Sequence, residues 1–151
     1  VGKIHEDEYT AHQFYWQCER ITIAAKPLYF YVQRGGSIIH TDSPQKTMDL
    51  AEGIFQRACF EQEQQLTRLA IEAAKTSMLV FAQAHRRKDL QPAQRRWCAE
   101  MRGRMNTLAK TLLKSGSGSR ADRIKFRLFL CSPTLYRAAL LTKSWMNQIG
   151  F

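Results

Sequence analysis

The residue types best suited to chemistry stand together in His5-Glu6-Asp7-Glu8-Tyr9. Three successive carboxylates repel one another. At a helix N-terminus the exposed N–H groups and the helix dipole offset that repulsion by about 0.3–1 kcal/mol per charge. The same residues could also supply a general base. An ionised aspartate within hydrogen-bond reach of a hydroxyl can take its proton, and a neighbouring acid raises its basicity. An acidic helix cap and a proton acceptor therefore share this composition. A second segment, Gln33-Arg34-Gly35-Gly36-Ser37, sets an arginine beside paired glycines. Glycines let backbone N–H groups approach a phosphate, and arginine offers bidentate charged contacts, although a solvated glycine turn reads the same way. His40 follows that loop as a candidate ligand for a metal or a phosphate, and His5 is equally open to a role or to none. His12 and His85 read as helix-surface residues.

The elements that position these groups follow from periodicity. Residues 8–19 predict a short helix, with Ala11, Phe14, Tyr15 and Cys18 sharing a face. Residues 20–25, with Ile21 and Ile23, predict a strand, and Lys26-Pro27 interrupts it. The aromatic run 28–33 predicts a second strand. Two strands make a poor sheet alone, so these need a sheet to join or helices to pack on. Asp42-Ser43-Pro44 starts a helix with the apolar stripe Leu50, Ala51, Ile54, Phe55 and Ala58. A second long helix is expected over about 61–87, and a third after Pro92 with the seam Trp97, Met101, Met105, Leu108 and Leu112. Residues 115–119 are a Ser/Gly linker, Ser119 to Asp122 reads as a capping box, and Ser132-Pro133 opens the last helix.

The order of these segments resembles bacterial family 2 glycosyltransferases of capsule and exopolysaccharide synthesis. Many members carry H-E-D-E-Y/F, a helix, a short strand, P-L-Y-Y-Y and a loop ending in R-x-G-S. This chain has His5-Glu6-Asp7-Glu8-Tyr9, then Arg20-Ile21-Thr22-Ile23, then Lys26-Pro27-Leu28-Tyr29-Phe30-Tyr31. It continues Val32-Gln33-Arg34-Gly35-Gly36-Ser37-Ile38. Phe129-Leu130-Cys131-Ser132-Pro133-Thr134-Leu135-Tyr136 is similar to the L-x-S-P-x-L-Y pattern that closes many of these proteins, while the middle helices match in character only.

The resemblance implies a mainly α chain: residues 1–40 as the C-terminal remnant of a GT-A catalytic domain, a short helix plus two strands, and residues 41–151 as a basic helical extension. The extension should hold about four to five helices. The resemblance further implies inverting transfer from a nucleotide sugar to a cell-surface polysaccharide or lipid-linked acceptor. Asp7 would be the base, and Glu6 would orient it or bind the acceptor. Gln33, Arg34 and Ser37 would contact the donor diphosphate, with Val32 standing where the family often has an arginine. His40 lies where some relatives help hold metal or phosphate. Mg²⁺ or Mn²⁺ would be held by a D-x-D motif upstream, which this chain lacks, so it reads as a C-terminal portion inactive by itself.

Composition adds partners without identifying them. The net charge is +10, carried by clusters such as Arg86-Arg87-Lys88, Arg95-Arg96 and Arg120 to Arg127. Such charge suits an anionic membrane surface, which would place the protein in the cytoplasm, peripheral on the inner face of the membrane. It also suits nucleic acid, but no zinc finger, RNA-recognition signature or basic region leading into heptads supports that partner. The seam from Trp97 to Leu112 is either core or a homo-oligomer contact. Cys18, Cys59, Cys98 and Cys131 lie far apart and read as reduced thiols. The longest apolar stretch, 126–145, is broken by Arg127, Arg137 and Lys143.

Overall fold

Local capping chemistry fixes where most of the helices begin. In the computed structural model, which describes residues 3–27, 29–30 and 42–148 with side chains up to 141, six helices appear. They are α1 (Glu6–Gln17), α2 (Pro44–Glu63), α3 (Thr67–His85), α4 (Pro92–Lys114), α5 (Arg120–Cys131) and α6 (Pro133–Gln148). Ser43 Oγ accepts the Lys46 N–H at 3.2 Å, and Pro44 takes the first helical position, where its missing N–H costs nothing. Gln94 Oε1 accepts the Gln91 N–H at 2.9 Å at the start of α4. At α5 the capping box is reciprocal: Ser119 Oγ accepts the Asp122 N–H at 3.1 Å, and Asp122 Oδ2 accepts the Ser119 N–H at 3.2 Å.

Helix α3 is the hub and touches α2, α4, α5 and α6. Its Phe81 is fully buried, with the Phe129 ring edge-on at 6.0 Å and Tyr136 edge-on to Phe129 at 5.6 Å. Two hydroxyls buried in this core are satisfied. Tyr136 donates its hydroxyl to the Lys75 carbonyl at 2.9 Å, and Ser77 donates to the Ala51 carbonyl at 2.7 Å. The α4 seam of Met101, Met105, Leu108 and Leu112 is buried in the same cluster, so it is core.

Two expectations need correction. The second long helix, expected over about 61–87, begins later: residues 61–63 close α2, and α3 runs from Thr67 to His85. The chain turns at Gln64–Leu66 through a Schellman closure, with Leu66 N–H to Glu61 O at 2.8 Å and Gln65 N–H to Gln62 O at 3.1 Å. Gln65 takes the left-handed conformation, φ 61°, that glycine usually fills. The strand expected over 20–25 is absent, and no strand occurs among the described residues, so the mainly α class holds without the two-stranded remnant. Ile23 is 89% exposed and Phe30 87%: β-prone side chains without a neighbouring strand gain no ladder and no buried face. Most of the second expected strand, 28–33, lies outside the described residues.

Candidate functional site

Helix α1 begins directly after His5, which sits in the left-handed region at φ 66° and makes no side-chain cap. Glu6, Asp7 and Glu8 thus all fall in the first turn, where the helix dipole favours negative charge. Their environments differ. Glu6 and Asp7 are exposed, and Asp7 Oδ1 accepts the Glu8 N–H at 3.0 Å. Glu8 is committed to Arg57 of α2 at 3.0 Å. Tyr9 donates its hydroxyl to the Asp49 carbonyl at 2.8 Å, and burial raises that phenol to a pKa of about 12.

No residue of α1 is buried, so polar contacts and close packing hold it. Asp49 is their centre. Its carboxylate is 1% exposed and accepts from Lys3 Nζ at 3.2 Å, the Ile4 N–H at 3.2 Å and Gln45 Nε2 at 2.8 Å. Burial of that charge is tolerable because its lone pairs are engaged. Lys3 also reaches Glu52 Oε2 at 2.9 Å. Burial would lower the Lys3 pKa, but the hydrogen bonds from Glu52 and Asp49 outweigh it and hold the ammonium above its usual range. Glu52 is the mirror case: burial pushes it up, while Lys3 and Arg104 bring it below the ordinary carboxylate value. Gly53 allows the approach itself. A Cβ there would stand 3.0 Å from Glu8 Cβ and 3.0 Å from Tyr9 Cε2.

Between α1 and α2 lies a cavity of about 230 Å³, with Asp7 and Glu8 at one end and His12, Tyr15, Arg57 and Glu61 along it. His12 packs edge-on to Phe60 at 5.0 Å, and burial, aided by the Arg57 charge, lowers its pKa. Burial raises the Glu61 carboxyl, opposed by Arg57, and its Oε2 has no hydrogen-bond partner among the described residues. The groove thus combines an exposed carboxylate, an aromatic edge and a carboxyl with spare hydrogen-bonding capacity, a set that can hold hydroxyl groups and take a proton from one.

The structure places Glu6 and Asp7 adjacent on this turn. Gln33, Arg34, Ser37 and His40 lie outside the described residues. Sequence reasoning missed Asp49, Glu52, Gly53 and Arg57, although their spacing of three, four and eight residues marks one helical face with a glycine inside it. Among the described residues no cluster of three or more His, Cys, Asp or Glu could hold a metal, and no helix is long and apolar enough to cross a membrane. No protein-family model, curated protein or solved structure matches the chain.

Proposed function

We propose that the chain is the C-terminal part of an inverting, nucleotide-sugar-dependent glycosyltransferase in which Asp7 is the general base. The observation that carries the reading is the division of labour within the motif. Glu8 and Tyr9 are spent on docking α1 to α2, while Asp7 stays exposed at the mouth of the groove with its carboxylate open to a hydroxyl. In the reaction, Asp7 takes the acceptor's hydroxyl proton and the acceptor oxygen bonds to the anomeric carbon. The bond to the nucleoside diphosphate breaks, with inversion. The rigid mount matters because a base displaced by an ångström loses much of its effect.

Mg²⁺ or Mn²⁺ on an upstream D-x-D, and a diphosphate loop of Gln33, Arg34 and Ser37, belong to the proposal by resemblance alone. The 151 residues by themselves should neither transfer a sugar nor bind UDP tightly.

The test is Asp7→Asn in the protein that carries the donor-binding half. Asparagine still accepts the Glu8 N–H, so the melting temperature should hold while kcat falls by about 10²–10⁴-fold. Sugar transfer at the parental rate by that variant would reject Asp7 as the base.

A further inference from the structure

Several cations among the described residues are committed to carboxylates. Lys3, Arg57, Lys75, Arg87 and Arg104 each meet a carboxylate within 3.3 Å. Arg95 and Arg102 of α4 form no ion pair among the described residues, and both line one cavity of about 330 Å³ between the end of α3 and the first half of α4. His85 is on its wall, stacked on Phe81 at 5.6 Å with an interplanar angle of 18°, which fixes the ring plane. Leu90, Cys98 and Ala99 complete the lining, and none of these six residues is acidic. Of the two acids that flank lining residues in sequence, Asp89 is held by Arg87 through two contacts of 2.9 and 2.7 Å, and Glu100 is exposed on α4.

Such a cavity has a cationic rim and an apolar floor, since Leu90 and Cys98 are buried. Its volume falls within the ~300–1,000 Å³ common for small-molecule sites and exceeds what an inorganic phosphate fills. We propose that this cavity binds a phosphate group that carries an apolar chain, with Arg95 and Arg102 on the phosphate oxygens, His85 as a further donor, and the chain against Leu90 and Cys98. Arginine suits the role because its planar fork donates two parallel hydrogen bonds to phosphate oxygens. Burial, aided by the Arg102 charge, lowers the His85 pKa, and a bound dianion would act in the opposite direction. The source of such a group is either a free alkyl phosphate or a phospholipid headgroup in a bilayer.

Two probes separate these sources. Octyl phosphate below its micelle concentration is titrated into the protein beside inorganic phosphate, followed by the amide shifts of α4. Neutral phosphatidylcholine vesicles, with and without phosphatidic acid, are then tested by co-sedimentation. Octyl phosphate should bind more tightly than inorganic phosphate. Arg102→Gln and Arg95→Gln should each weaken it by about tenfold or more, while Arg120→Gln, which removes the same charge on the exposed start of α5, leaves it unchanged. Vesicle binding that needs both phosphatidic acid and Arg102 identifies the lipid source. Octyl phosphate binding without vesicle binding identifies the free one. Equal weakening by Arg102→Gln and Arg120→Gln, or no binding of octyl phosphate, overturns the proposal. So would duplex DNA binding tighter than either probe with no preference for Arg102 over Arg120. Melting curves of each variant confirm that the fold persists, and Arg102→Lys, which keeps the charge without the fork, provides a second folded comparison.

Discussion

Replacing Gly53 by alanine should loosen α1 without unfolding the helices behind it. A Cβ at this position meets Glu8 Cβ at 3.0 Å and the Tyr9 ring at 3.0 and 3.1 Å. Neither neighbour can swing aside alone. Glu8 Cβ is fixed to the α1 backbone, and the Tyr9 ring is tethered through its hydroxyl to Asp49. The whole helix must retreat by a few tenths of an ångström. Alanine inside a helix gains about 0.5–1 kcal/mol over glycine, and that gain goes to α2. The retreat strains the Tyr9 hydrogen bond, about 1 kcal/mol, and the half-exposed Glu8–Arg57 pair, about 0–1 kcal/mol. These terms nearly cancel for the bundle but not for α1, whose opening should become roughly 5–30-fold more frequent. Amide hydrogen exchange resolves the two: faster exchange across α1, unchanged protection in α3, and a melting temperature near the parental value. An alanine variant with fully protected α1 and a raised melting temperature would refute the close approach.

Two more perturbations test the helix termini. Gln65→Gly should stabilise by about 0.5–1 kcal/mol in urea melts, because glycine takes the left-handed turn without steric cost, partly offset by its freer unfolded chain. Asp122→Ala should cost about 2 kcal/mol, since it removes both the α5 capping box and the contact at 2.7 Å with the partly buried Lys75. Burial would raise the Asp122 carboxyl, but Lys75 and Ser119 outweigh it and hold the pKa below its usual value. A depressed carboxyl stabilises above its unfolded pKa, so this contribution should fade as pH falls from about 4 downward, and Asp122→Asn should flatten that part of the pH–stability curve.

How much of this could be read in advance depended on the reach of each signal. Ser43-Pro44, Gln91-Pro92 and the Ser119–Asp122 box act within one turn, and each marked a real helix start. The break between α2 and α3 was expected about a turn too early, because its left-handed residue is Gln65 and not a glycine that would mark the turn. The Ile21 and Ile23 alternation suggested a strand, but alternation reports only a face, and a strand exists when a partner supplies its hydrogen bonds. The acidic motif was legible as a helix N-terminus. What each carboxylate faces was not, because Glu8 meets Arg57 and Lys3 meets Asp49 across more than forty intervening residues.

The Schellman turn at Gln64–Leu66 also has a kinetic consequence. It joins α2 to α3, which pack against each other along their length through a connection only three residues long. Closing so short a loop forfeits little chain entropy, so this helical hairpin should form early and serve as the nucleus. The bond from Tyr136 to Lys75 spans 61 positions and should form late. Mutations in the turn would then slow refolding, whereas loss of the Tyr136 hydroxyl would chiefly hasten unfolding.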